Sequence, residues 1–363
     1  MVQTAFCVLT PLYVLIPILA ALAVLLCRKG KITTAQGISV IVAARNEEHN
    51  LPVLLSSLAK LDYPPEAYEL IIVSDHSTDA SVDILRQWQN RLNLKVIDWQ
   101  EEEEGIIGKK AALLQGIRAA KHELLAFTDA DCEVPSTWLR AFSQAFENDV
   151  DYVLGYSLIK RDKQDGYFRL KNFERGIYYS LAALGMRARH PITSSACNMA
   201  YRKSAFLASK GFEGIGHLAS GDDDLLLMKM MPRLRRAVYN PSPAQRVVSY
   251  EGHDLSKRHH TNVRRASKFR YFPLWLQLMG VFVFLYFILF YLSIAALALG
   301  SSNPWLPLMF MIKTGTELSL GFIHFFRTGL PWLGALYPVQ LLWFPGQFVY
   351  YSLRGSLGKY RWK

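Results

Sequence analysis

Phe127-Thr128-Asp129-Ala130-Asp131 carries a short apolar stretch, Leu124 to Phe127, straight into two carboxylates one residue apart. Four consecutive apolar residues suit a buried strand, so Asp129 and Asp131 would emerge at its carboxyl end, where open α/β sheets place their ligands. Two oxygen donors there suit a hard divalent cation that is also held by a diphosphate. The plainer alternative is a polar turn capping a helix that begins near Ser136. The neighbouring segments decide between the two.

Upstream, Gly37 to Ala44 is a β-rich apolar run ending in Arg45-Asn46-Glu47-Glu48, before a helix through Leu58. Glu69 to Val73 is a second strand, ending in Ser74-Asp75-His76-Ser77-Thr78-Asp79, before a helix from about Ala80 to Gln89. Leu94 to Ile97 supplies a third strand. The repeat of strand, loop and helix predicts a parallel sheet with polar residues gathered at one edge. Thr78 or Asp79 is expected to cap the helix. Asp75 falls at the strand end itself, where a carboxylate accepts hydrogen bonds from a base or a ribose. Gly105-Ile106-Ile107-Gly108-Lys109-Lys110 opens a further helix, and a lysine at such a start reaches a diphosphate, as do first-turn amides. The Walker phosphate loop is absent, since only its Gly-Lys pair is present; an ordinary helix-start lysine is the other account of Lys109.

Composition places this α/β region between membrane segments. The chain has 363 residues, 51% of them hydrophobic, and a formal net charge of +11. The apolar surplus sits at the two ends, and Lys and Arg cluster beside it, at Arg28 to Lys31, Lys257 to Arg270 and Arg354 to Lys363. That placement fits anionic headgroups better than a nucleic-acid groove, so no nucleic-acid partner is expected. Phe6 to Leu26 is long enough to span a bilayer and is followed at once by basic residues, which predicts an outside N-terminus and a cytoplasmic domain after it. A cleaved signal peptide fits less well, because positive charge follows the apolar run instead of preceding it. Four cysteines, Cys7, Cys27, Cys132 and Cys197, show neither paired nor zinc-ligand spacing and are expected to be reduced.

Taken together, Ser39 to Asn50, Val73 to Asp79, Gly108 to Leu113 and Thr128 to Cys132 resemble the family-2 glycosyltransferases, inverting enzymes with the GT-A fold. The resemblance spans roughly residues 38 to 270. It implies an α/β fold: a GT-A nucleotide-diphospho-sugar-binding (Rossmann-like) domain, with N-terminal and C-terminal transmembrane helices around it. By position, it implies that Asp75 contacts the uridine of a UDP-sugar, Asp131 binds metal and diphosphate, and Asp129 stands closer to the ribose as a further metal ligand. Arg45 and Glu47 would line the nucleotide pocket. A divalent cation, Mg2+ or Mn2+, is the implied cofactor. Ser74 stands where the family often has a first Asp.

Further along, Trp138 to Phe146 is expected as a helix and Tyr152 to Leu158 as a strand. Tyr167 to Met186 has a helical pattern, basic and aromatic, suited either to a membrane surface or to a core. Ser195 to Arg202 resembles the family segment that lines the sugar pocket, with Asn198 in its Asn position. In Gly221-Asp222-Asp223-Asp224-Leu225 the alignment puts Asp222 at the position of the general base, with Asp223 in reserve. Three adjacent carboxylates repel, which predicts a raised pKa for at least one; the alternative is a capped helix start at Leu225. In the family's Gln-x-x-Arg-Trp motif, Thr261, Arg264 and Arg265 take the Gln, Arg and Trp positions, so Arg264 is the implied nucleotide contact. An Arg in place of the stacking Trp disfavours a processive polymerase.

From Phe272 the chain returns to lipid, with candidate spans at Trp275 to Leu299, Leu306 to Phe326 and Trp332 to Leu353. Lys313, Glu317 and His324 interrupt the second, and Lys313 and Glu317, four apart, are placed to pair. Three spans would put the basic tail outside, against the positive-inside tendency; otherwise one of them is re-entrant or interfacial. The expected organisation is an N-terminal transmembrane helix (1–30), a cytoplasmic catalytic domain (36–271), C-terminal transmembrane or interfacial helices (272–353) and a basic tail (354–363). The implied protein is a multi-pass inner-membrane transferase acting on a nucleotide-sugar donor and a lipid or lipid-linked acceptor. The alternatives are a processive polysaccharide synthase and a non-catalytic nucleotide-sugar-binding membrane protein.

Overall fold

A computed structural model describes residues 1–28, 30–160, 166–250, 262–263 and 266–357. The chain divides into two compact units: Met1–Leu25 with Arg169–Ser180 and Gly252–Lys363, and Leu26–Phe168 with Leu181–Glu251.

The second unit is built on a seven-stranded sheet. Its first strands are β1 (Ile38–Ala44), β2 (Tyr68–Asp75), β3 (Leu94–Trp99) and β4 (Leu124–Phe127). They run parallel in the order β3-β2-β1-β4. β2 and β4 are buried along their whole length and β1 along all but one residue, which is why they read as continuous apolar runs and not as alternating ones. Helices α2 (Leu51–Leu58), α3 (Ser81–Gln89) and α4 (Lys109–Ala119) connect them. A Cβ added at Gly116 of α4 would lie 2.5 Å from Ile41 Cγ2, so a bare backbone is what lets that helix approach the sheet closely.

Beyond β4 the sheet is mixed. After β5 (Cys132–Glu133) and helix α5 (Trp138–Ala145), the expected strand at Tyr152 to Leu158 is two strands, β6 (Tyr152–Gly155) and β7 (Ser157–Lys160), in different sheets. Tyr156 is the transfer point. Helix α6 (Gly166–Arg187) then leads to β8 (Met199–Arg202), which lies antiparallel between β4 and β6, so the sheet is parallel through the expected first strands and mixed beyond them. β9 (Ala237–Asn240) closes the far edge, and β10 (Val247–Tyr250) joins β5 and β7 in a small second sheet. Asp151 pins this half of the domain: its carboxylate accepts hydrogen bonds from the Arg235 guanidinium and from the Arg235 amide at 2.7 Å, with Arg202 3.5 Å away.

The first unit contains α1 (Val2–Leu25), the middle of α6, and helices that follow α7 (Lys203–Ala208) and α8 (Asp224–Met230) in chain order: α9 (Leu274–Ala298), α10 (Trp305–Arg327) and α11 (Tyr337–Leu357). Among the described residues three helices are long and apolar enough to cross a membrane: α1, α9 and α10. α11 is not one of them; it starts after a 3-10 turn at Pro331–Leu336 and contains Pro345. The polar residues of α10 have partners. Lys313 Nζ lies 2.8 Å from Glu317, whose carboxylate also accepts the hydroxyls of Tyr13 (2.5 Å) and Tyr337 (2.8 Å). His324 Nδ1 lies 2.8 Å from Ser180 Oγ.

Burial raises the Asp151 carboxyl, but the Arg235 side chain and amide outweigh it and hold it below the usual range. A carboxylate depressed in the folded state stabilises fully above its unfolded pKa and loses that contribution as pH falls through the folded value. Asp151→Asn is therefore expected to lower the unfolding midpoint of the detergent-solubilised protein at pH 7. The gap from wild type should shrink on acidification, as read by a pH series of thermal melts.

Candidate active site

The Asp129-Ala130-Asp131 segment caps no helix. It forms a turn in which the Cys132 amide donates to Asp129 O at 3.2 Å, and the chain passes from β4 of the large sheet into β5 of the small one. The amide of Tyr250 donates to Asp131 O at 2.8 Å and fixes the second acid. Helix α5 begins later, at Trp138, with no side-chain cap.

Lys109 is the first residue of α4, after Gly108 at φ +58. Its ammonium hydrogen-bonds to Asp129 and lies 3.1 Å from Asp222 Oδ2, so one cation bridges the acid after β4 and the acid before α8. Lys110 performs a different task. Its buried ammonium donates to the carbonyls of Leu218 and Ser220, the second at 2.8 Å, anchoring the loop that carries Gly221 at φ +95 and then Asp222. Ile107 N donates to Gly216 O at 3.1 Å, so the two loops run against each other over several residues.

The three consecutive acids divide their roles. Asp223 is the N-cap of α8 and accepts the Asp224 amide; Asp224 is buried and accepts the Leu225 amide at 2.8 Å. Asp222 faces Lys109. Burial pushes its carboxyl up, yet Lys109 outweighs burial and holds it below the usual range, so Asp222 is not an acid of the triplet that repulsion raises. Lys109 responds in kind: burial favours its neutral form, but Asp129 and Asp222 hold its pKa well above the ordinary value. Asp131 lacks that lysine; burial first, and then Asp129, push it up to about 7. Glu47, held by Asn50 Nδ2 at 2.6 Å, is also raised, by burial and then by Asp129 against the Asn50 bond.

The other expected residues lie as follows. Arg45 is exposed just beyond the end of β1. Asp75 is the last residue of β2, 6% exposed, with its Oδ1 2.7 Å from Nδ1 of His76, itself at φ +52. Asp79 accepts the Ser81 amide at 3.0 Å at the start of α3 and the Glu48 amide at 3.1 Å, tying the loops after β1 and β2 together. Asn198, the expected pocket-lining residue, has a structural role. It is fully buried; Nδ2 donates to Tyr156 O (2.8 Å) and Gln245 O (2.6 Å), and Oδ1 accepts from Trp138 Nε1 (2.9 Å). Its amide joins three segments of scaffold, around Trp138, Tyr156 and Gln245. Arg264, with Thr261 and Arg265, lies outside the described residues.

The carboxylates of Asp129 and Asp131 suit a hard divalent cation, since a cation relieves the repulsion and desolvation that raise Asp131. The thiols of Cys132 and Cys197, neither in a disulfide, also converge on Asp129, with ligand atoms within 4.8 Å of one another. The bond to Cys197, and then burial, push the Cys132 thiol well up, so it stays protonated and is a poor ligand beside two carboxylates. Spacing in sequence carried no sign of that convergence, nor of the buried role of Lys110.

A mixed sheet with acids, a helix-start lysine and a capped acidic loop at the carboxyl edge defines a nucleotide-diphospho-sugar-binding fold of the GT-A type. Residues 39–208 match the family model described as Glycosyl transferase family 2, and the domain is a member of that family. Poly(ribitol-phosphate) beta-N-acetylglucosaminyltransferase TarS of Staphylococcus aureus is 36% identical over 115 residues, 31% of this chain and 20% of that protein. Undecaprenyl-phosphate 4-deoxy-4-formamido-L-arabinose transferase of Edwardsiella ictaluri is 30% identical over 137 residues, 38% of this chain and 41% of that protein. The chain thus spans less than half the length of these curated relatives. The solved mannosyltransferase PcManGT of Pyrobaculum calidifontis, in complex with GDP-Man and Mn2+, aligns with a TM-score of 0.60 at 21% identity, covering 94% of this chain and 99% of that one, a likeness of fold.

Removing the Lys110 ammonium leaves two carbonyls of the Asp222 loop without their charged donor. Lys110→Met is expected to cost about 2 to 4 kcal/mol of stability, measured by denaturant unfolding in detergent; a midpoint equal to wild type would show that the loop is held by other contacts.

Proposed function

We propose that the chain is a membrane-bound, inverting glycosyltransferase that moves one sugar from a nucleotide diphosphate, UDP foremost, to a lipid-linked or membrane-proximal hydroxyl. The observation that carries this is the placement of Lys109 between Asp129 and Asp222: a cation suited to a diphosphate stands directly beside a carboxylate suited to an acceptor. Asp75, Arg45 and Glu47 would hold the nucleoside at the ends of β1 and β2. Lys109 and the first-turn amides of α4 would take the diphosphate. A divalent cation, Mg2+ or Mn2+, held by Asp131 and Asp129, would neutralise the departing diphosphate.

Asp222 then accepts the proton of the acceptor hydroxyl. The acceptor oxygen bonds to the anomeric carbon as the bond from that carbon to the diphosphate breaks, and the electron pair leaves on the diphosphate. One displacement inverts the configuration, and no covalent sugar intermediate forms. Asp223, engaged as a helix cap, stands back from this step. The relatives' names, one a polymer-directed transferase and one an undecaprenyl-phosphate transferase, support an acceptor of that kind.

Residues 36–271 would form the cytoplasmic catalytic domain at an inner membrane, between an N-terminal span within 1–30 and the helices of 272–353. With α1, α9 and α10 as the spans, the chain returns to the cytoplasm after α10. The tail 354–363 then obeys the positive-inside tendency.

Nucleotide release is to be screened in membranes across UDP- and GDP-sugars, with the lipid fraction analysed for a new glycolipid and for product length. Asp131→Ala and Asp222→Asn are each expected to cut turnover by about 10² to 10⁴, and a chelator should suppress it. Release from no donor would overturn the proposal, and full turnover in Asp222→Asn would remove the base. A reporter fused after Lys363 is expected to read as cytoplasmic; an external signal would add a fourth crossing.

A further inference from the structure

The assignment of Lys109 to a donor diphosphate, on which this inference rests, sets two anions in competition for one ammonium. The ammonium hydrogen-bonds to Asp129 and lies 3.1 Å from Asp222 Oδ2, and the Asp222 side chain is only 13% exposed. A carboxylate that accepts a proton from a hydroxyl needs a free lone pair on the oxygen facing that hydroxyl, and one paired to a lysine offers it poorly. A diphosphate carries more negative charge than one carboxylate and outcompetes it for a shared ammonium.

We infer that Lys109 exchanges partners in the catalytic cycle: entry of a nucleoside diphosphate draws its ammonium off Asp222, so that the base is released only once the donor is seated. The positions around Asp222 allow the exchange without collapse of the loop. Lys110 holds the carbonyls of Leu218 and Ser220 on one side. On the other side Asp223 caps α8, and Leu226 N donates to Gly221 O at 3.2 Å. Asp222 is thus located by the backbone around it and not by its ion pair. The lysine moves and the carboxylate stays. Adjacent lysines at the start of one helix therefore divide two tasks, Lys110 fixing the base in space and Lys109 controlling its availability.

A double-mutant cycle on UDP affinity tests the exchange, using purified full-length protein in detergent at fixed Mg2+, with uridine as the control that lacks phosphate. If Asp222 competes with the diphosphate for Lys109, Asp222→Asn should tighten UDP about fivefold while leaving uridine unchanged. Lys109→Met should weaken UDP by about tenfold. The decisive arm is the double variant: in the Lys109→Met background, Asp222→Asn should change UDP affinity less than about twofold. An Asp222→Asn gain that persists without Lys109 would be plain charge repulsion and would overturn the exchange, as would no gain at all. Asp222→Ala runs the same cycle if the Asn variant folds poorly. Failure of the wild-type chain to bind either UDP or GDP would sink the proposed function along with the exchange. UDP binding with no Lys109-dependent gain would sink the exchange alone.

Discussion

One lysine ammonium makes the acidic site tenable. Asp129 and Asp222 come from distant parts of the sequence, and Asp131 and Glu47 add to the negative charge around them. Unpaired carboxylates crowded in a partly dry place repel one another and shed their charge by taking up protons. Lys109 prevents this for the acid it touches most closely on the α8 side. Asp222 stays ionised, while Asp131 and Glu47, farther from the ammonium, rise. The site is therefore polarised, with an ionised carboxylate suited to taking a proton on one side and an acid pair suited to a metal cation on the other. One helix start separates them.

That helix start is where it is because of packing far from the chemistry. Gly116 lets α4 lie against Ile41 and the helix can approach β1 more closely than a residue with a Cβ would allow. Burial of the apolar face formed by Ala112, Leu113 and Ile117 supplies the driving force. The amino end of α4 then projects at the carboxyl edge of β4, two residues from which Asp129 emerges. Gly108, at positive φ, turns the chain into the helix so that Lys109 is its first residue. The core beneath the helix thus places the root of the Lys109 side chain between the two acids.

Much of this was legible in order along the chain. The parallel strands with loops at one edge followed from apolar runs ending in polar clusters, and the four motifs together were specific enough to indicate the family. Other features depended on contacts between distant residues. β8 is antiparallel because the chain, after α6, re-enters the sheet between β4 and β6, and no local pattern encodes a direction of entry. Tyr156 looks like the middle of one strand until its two sides pair in separate sheets. Asn198 matched a pocket-lining position by motif, yet its amide is fully occupied by Tyr156, Gln245 and Trp138, and a Cβ on Gly155 would lie 2.4 Å from it. Nothing in the sequence separates Lys110 from Lys109, because only the fold shows which of two adjacent lysines turns inward. The depressed Asp222 carboxyl was hidden for a related reason: repulsion within Asp222-Asp223-Asp224 is visible in sequence, and a lysine more than a hundred residues away is not.

The helical unit pairs its charges in a similar way. Lys313, Glu317 and His324 looked like interruptions of a span, and charge inside lipid is costly unless it is paired. Each is paired within its own unit. Glu317 gathers the Lys313 ammonium and the hydroxyls of Tyr13 and Tyr337, so one carboxylate ties α1, α10 and α11 together. Around it, Tyr13 stacks on Tyr286 of α9 with ring centroids 4.0 Å apart, and Lys313 sits 4.3 Å from the centre of the Phe290 ring. Apolar contacts between helices are non-directional, whereas a junction with several donors on one acceptor favours one arrangement over other apolar pairings. The exposed faces of α1 and α9 are left to Leu and Val, as Leu12, Leu15, Leu19, Leu278, Val281 and Leu285 illustrate. Polar residues inside and aliphatic residues outside reverse the pattern of a water-soluble bundle, the distribution that the proposed membrane insertion requires.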